Sequence, residues 1–196
     1  MGWAGAAMAI QSIRQIAKPI LISLSPAGYK SIAIDLRTNM YVWAVPLTEF
    51  PADPGEVRVG TYPIAGDDPG LAGSQLGIDP LLWMIGLHAY PLGPASWLRP
   101  GDKFRLKWWP DFDLLPHTPT QALLIKKLAG SMMTVDKLAK IAKVDQLEAQ
   151  QVVNALSLMG ALRRLESKNS APMQPPTSAE YDLPDRSRGR HVRRGG

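Results

Sequence analysis

The chain has 196 residues, no cysteine, and an apolar content of 45%. That is enough for a packed core, and the missing thiols exclude a disulfide framework, thiolate zinc sites, cysteine-ligated iron–sulfur clusters and a cysteine nucleophile. The net charge of +5 is uneven: from Ser167 onward six cations face three carboxylates, which leaves only +2 on residues 1 to 166, so the folded part is nearly neutral and the high isoelectric point belongs largely to the tail.

No apolar run approaches the roughly 18 to 20 residues of a membrane span. Met1 to Ile10 is apolar, but Arg14 and Lys18 follow it, whereas a signal peptide carries its cations first. Ala6 stands where a myristoylation signal requires Ser or Thr. The expected location is the cytoplasm. Ala9 to Ala17 reads as a short amphipathic helix, with Ile10, Ile13, Ile16 and Ala17 near one face. Ile20 to Leu24 follows as a strand, and Ser25 to Gly28 as a turn.

The strongest β signal is Lys30 to Leu36 and Met40 to Val45, rich in β-branched and aromatic residues, with Arg37, Thr38 and Asn39 between them. This predicts a hairpin, and Asn39 suits a positive-φ turn position. Residues 50 to 79 are dense in Pro, Gly and Asp. Within them Glu56 to Ile64 predicts a strand at a sheet edge, because Pro63 has no N–H. Pro80 to Tyr90 reads as a helix with proline in its first turn. Arg99 to Asp102 makes a turn, and Lys103 to Trp108 a strand.

Three helix starts then follow with separate capping signals. Thr118, Pro119 and Gln121 form a capping box before an apolar face of Ala122, Leu124, Ile125, Leu128 and Ala129. Thr134 caps a second helix facing inward through Val135, Leu138, Ala139 and Ala142. Asp145 caps a third, with Leu147, Val152, Ala155, Leu156 and Met159 inward and Gly160 as its stop. Ala161 to Leu165 continues as a strand. From Ser167 the composition turns to Ser, Pro, Gln and Arg, which predicts a disordered basic tail. The expected class is α+β: a β-rich module over 1–115, a three-helix module over 116–166 and the tail over 167–196.

The stretch Thr134 to Leu165 resembles the second and third helices of winged-helix domains. The shared pattern is a short helix ending LAKIAKV, a turn, a longer helix, and a Leu-x-x-x-Gly exit (Leu156 to Gly160) into a strand. With the first helix the resemblance covers about a quarter of the chain. In many winged-helix proteins the third helix enters the DNA major groove. Here its expected outward residues are Gln146, Glu148, Gln150, Gln151 and Asn154. Gln and Asn can read adenine, but no cation stands among them to neutralise phosphate. The cations available for a nucleic-acid backbone are Lys126, Lys127, Lys137, Lys140 and Lys143, Arg163 and Arg164, and the tail arginines Arg186, Arg188, Arg190, Arg193 and Arg194.

Catalytic signals are weak. Asp111 and Asp113 lack further ligands for a cation. The aromatic run Trp108 to Phe112 reads as a staple between the β part and the first helix of the three. Asp67 and Asp68 read as a turn pair. His88, His117 and His191 are isolated. No phosphate-binding glycine loop or nucleophile elbow occurs, since Ser23 and Ser25 lack flanking glycines. The sequence therefore reads as a non-enzymatic regulatory or assembly protein without a cofactor, binding another protein through its β-rich module and its winged-helix-like module, with Gln146, Glu148, Gln150, Gln151 and Asn154 as the contact residues. The alternative is a DNA-binding regulator whose N-terminal part senses or dimerises.

Overall fold

Trp3, Ala6, Ala7 and Ile10 recur at helical spacing, and in the computed structural model all four are buried. The structure describes residues 2–16, 19–64 and 71–167. The first helix, α1, spans Trp3–Ile13, about six residues earlier than the isoleucine spacing predicts. Small alanines, not isoleucines, supply most of its inner face, and Trp3 anchors it by donating its indole N–H to the Pro51 carbonyl at 2.7 Å.

Strands β1 (Ile20–Pro26), β2 (Ile32–Asp35), β3 (Met40–Val42), β4 (Val57–Pro63) and β5 (Leu76–Gly77) form an antiparallel sheet in the order β4-β1-β2-β3-β5. The predicted hairpin is present as β2 and β3, with Asn39 at φ 55°. Its second strand stops at Val42, short of Val45. At its turn the buried Asp35 carboxylate accepts from the Arg37 backbone N–H and guanidinium. Those bonds hold the Asp35 carboxyl below the usual carboxylate range. The predicted edge strand is β4, paired with β1 along its whole length, from Ile20 opposite Pro63 to Pro26 opposite Val57.

Helix α2 (Asp79–Ala89) places Pro80 in its first turn, where the missing N–H has no intrahelical partner in any case. Strand β6 (Lys103–Leu106) is shorter than the predicted 103 to 108. Next come α3 (Pro119–Gly130), α4 (Val135–Ala142), α5 (Gln146–Met159) and strand β7 (Leu162–Leu165). The three predicted N-caps and the Gly160 stop are formed, whereas Gly130, expected as the stop of the first of these helices, is its last residue, with an extended Ser131 after it. Thr118 and Gln121 bond reciprocally, Thr134 accepts from Lys137 N, Asp145 accepts from Leu147 N, and Gly160 ends α5 at φ 76°. The molecule is thus α+β, with an N-terminal five-stranded sheet followed by helices.

The two sequence regions share one hydrophobic core, continuous from Trp3 to Ala161. Helix α1 lies on β4, β1 and α2, and α2 packs along α5. Strand β6, from before residue 115, pairs antiparallel with β7 to form a two-stranded ribbon, and Phe104 also bridges Met133 between α3 and α4. Trp83 donates its N–H to Pro116 O and Trp97 to Ser157 Oγ, so both rings join segments distant in sequence. Arg14, at the end of α1, donates to the Leu158 carbonyl of α5.

The α2–α5 contact depends on Gly86. A Cβ there would lie 2.4 Å from the Ala155 Cα and 3.0 Å from its backbone nitrogen. Replacing Gly86 with Ala should therefore cost about 1 to 3 kcal/mol from overpacking, despite the better helix propensity of alanine. The second change Ala155→Gly should not rescue it, because the clash is with the Ala155 backbone. A denaturant titration showing Gly86→Ala as stable as wild type would mean the helices lie further apart.

Candidate interaction surface

Helix α5 is flanked by α2 and by α3 and α4, so little of its outer face is open. Asn154, expected on the outward face, is 1% exposed. Its Oδ1 accepts the Ala95 N–H at 3.0 Å and its Nδ2 donates to the Gly93 carbonyl at 2.9 Å. One amide therefore satisfies a backbone donor and a backbone acceptor of the segment that follows α2, and this side chain is structural glue. Gln150 donates to the same Oδ1 at 2.9 Å.

That attachment fixes the loop over the start of α5 and holds Leu92 outward at 90% exposure. Leu147, expected to face inward, is also exposed, because it sits in the first turn of α5, ahead of the region that α2 covers. Leu92, Gly93, Pro94, Gln146, Leu147 and Gln150, with Asp145, line an open depression of about 440 Å³. A second hollow of about 200 Å³ shares the walls Pro94, Gln146 and Gln150 and runs toward Leu98, Thr134 and Val135. Gln146 is held in place by donating to Asp136 Oδ1 at 2.6 Å.

The remaining predicted residues lie elsewhere. Glu148 is half-buried in the first turn of α5, where its charge suits the helix N-terminus. Gln151 lines a separate hollow with His88, His117 and Gln121. There burial holds the His88 imidazole below its ordinary pKa, with the ring stacked on Phe50. His117 places Nδ1 2.8 Å from the Leu115 carbonyl. Asp111 accepts from Asp113 N through its side chain and from Leu114 and Leu115 N through its carbonyl, so it organises a turn. Among the described residues no group of three or more His, Cys, Asp or Glu is arranged to hold a metal, and no helix is long and apolar enough to cross a membrane.

The predicted cations differ in exposure. Lys126, Lys137, Lys140, Lys143 and Arg163 are exposed, and Lys127 is half-buried. Arg164 donates Nε to Asp102 and NH1 to the Trp97 carbonyl, both at 2.7 Å, which makes it a clamp. Arg186, Arg188, Arg190, Arg193, Arg194 and His191, with the predicted disordered tail, lie outside the described residues, as do Asp67 and Asp68. Sequence reasoning missed Leu92 and Leu147. The available signal was an apolar residue set in a Pro-Leu-Gly-Pro turn, where nothing local can bury it. Comparison with known proteins finds no matching family model, no match among curated proteins and no matching solved structure.

Proposed function

We propose that this chain is a non-enzymatic regulatory or assembly protein of the cytoplasm that binds another protein at the corner formed by Leu92, Pro94, Gln146, Leu147 and Gln150. The observation that carries this reading is Leu92, 90% exposed on a segment that Asn154 bonds down to α5. A flexible loop would lose entropy on docking, whereas a fixed leucine loses little. Two leucines and a proline beside amide side chains match the usual anatomy of an apolar centre within a hydrogen-bonding rim. The partner that fits carries an apolar side chain for the depression and polar groups for Gln146 and Gln150.

The resemblance of residues 118 to 166 to winged-helix domains agrees with a recognition role. The DNA-reading alternative has less support, because α5 carries Glu148 behind its acidic cap Asp145 and no cation.

The test uses the full chain as bait in lysate of its source cells, beside the double variant Leu92→Asp/Leu147→Asp. The control is Tyr62→Asp, at an exposed position on the far edge strand β4. Both substituted leucines are exposed, so the double variant should melt like wild type. A protein captured by wild type and control but lost from the double variant is the expected result. Identical capture by all three, or loss on nuclease treatment of the very protein that the double variant fails to capture, would overturn the reading.

A further inference from the structure

Strands β6 and β7 carry a second surface with different chemistry. Along β6 burial alternates: Lys103 and Arg105 are exposed, Phe104 and Leu106 are buried, and Lys107 just beyond is exposed again. The outward residues are all basic. In the ribbon register Arg105 lies directly opposite Arg163, which is also exposed, and Lys103 lies opposite Leu165. Lys107 N donates to Ala161 O, so the Arg105–Arg163 pair falls on a hydrogen-bonded step of the ladder, with Cα atoms about 5.5 Å apart.

Two like charges directly opposite one another destabilise a ribbon. None of Lys103, Arg105, Lys107 or Arg163 pairs with a carboxylate among the described residues, and nearby Glu166 is engaged by Arg99 and Arg164. Same-face side chains along β6 recur about every 6.7 Å, so Lys103 and Arg105 stand in line, Arg163 lies beside them, and Lys107 follows where the chain bends just beyond the strand. Two residues past Lys107 the chain presents Trp109, 55% exposed.

We infer that the outer face of this ribbon binds a single-stranded nucleic acid, its phosphates along Lys103, Arg105, Lys107 and Arg163 and a base on Trp109. Cations on an exposed strand face with an accessible aromatic close by in the chain are the combination single strands use. An acidic peptide would be served by the cations alone and would leave Trp109 idle. This surface is separate from the Leu92–Leu147 corner, so the two readings stand or fall independently.

The test is fluorescence anisotropy with labelled oligo(dT) and oligo(U) across a salt series, using the full chain with Arg186, Arg188, Arg190, Arg193 and Arg194 all changed to Ala. Four phosphate contacts give a log–log salt slope near about −3 for a single strand. In that background the triple change Lys103→Ala/Arg105→Ala/Lys107→Ala should weaken binding at least about tenfold and flatten the slope by about 2. Trp109→Ala should weaken it about five- to a hundredfold at unchanged slope. The two oligonucleotides show which sugar is preferred. Leu92→Asp should leave both affinities as they are. The inference is overturned if neither oligonucleotide binds once the tail is neutralised, if the triple variant binds equally well, or if duplex DNA or polyglutamate binds more tightly than both single strands.

Discussion

Replacing Asp102 with Ala should remove about 3 kcal/mol of folding stability, at the low end for a broken buried ion pair because Arg164 keeps some contact with water. The Asp102 side chain is fully buried beside an Arg164 that is 26% exposed. Its oxygens accept from Arg99 N at 2.9 Å, Arg164 Nε at 2.7 Å and Ser167 N at 3.0 Å. Those bonds tie together the turn before β6, the strand β7 and the chain just after it. Alanine leaves two backbone donors and a guanidinium without this acceptor. Asp102→Asn keeps the shape but sets an amide N–H₂ against one of those donors, so it should show a smaller loss. Urea unfolding followed by tryptophan fluorescence measures all three proteins. A loss below about 1 kcal/mol for the alanine variant, the size of one ordinary hydrogen bond, would mean the ribbon is held by its apolar face instead.

The second large effect should come from Leu156→Ala, about 2 to 5 kcal/mol from lost burial and the cavity left behind. Leu156 is fully buried in α5, between Val152 and Met159 on the packed face. Because the two sequence regions share one core, the loss should appear in a single unfolding transition seen by both secondary-structure and tryptophan signals. A change below about 0.5 kcal/mol, the range of surface substitutions, would mean this face of α5 is not packed.

The local features were readable from the sequence. Thr118 with Gln121, Thr134, Asp145 and Gly160 each act within four residues of the atoms they satisfy, and each is found as predicted. Asn39 and the β2–β3 hairpin belong to the same class. What the sequence hid depends on distant contacts. Nothing near Asn154 indicates that Gly93 and Ala95 will cover it, so it read as an outward polar residue. Leu147 matched the helical spacing of an inner face, but α2 covers α5 only further along. Gly86 looked like an ordinary helix glycine, and its purpose appears only when Ala155 is seen against it. Arg164 read as a free cation because Asp102 is 62 residues away. For the outer residues of β6 the alternation was present, yet so short a strand pattern does not say which face stays bare.

The pairing of β6 with β7 also sets an order of events during synthesis. All strands of the five-stranded sheet lie within the first 77 residues and can close as soon as they emerge. Strand β6, by contrast, must wait for a partner about 60 residues later, on the order of 3 to 12 s at a translation rate of about 5 to 20 residues per second. Throughout that interval the side of α2 around Gly86 faces solvent, and the ribbon edge is unpaired. Helix α5, the last helix among the described residues, covers the first, and β7 directly behind it pairs the second. The protein is thus born with its central seam open, and the shape-matched closure of Gly86 on Ala155 is the step that ends its exposure on the ribosome.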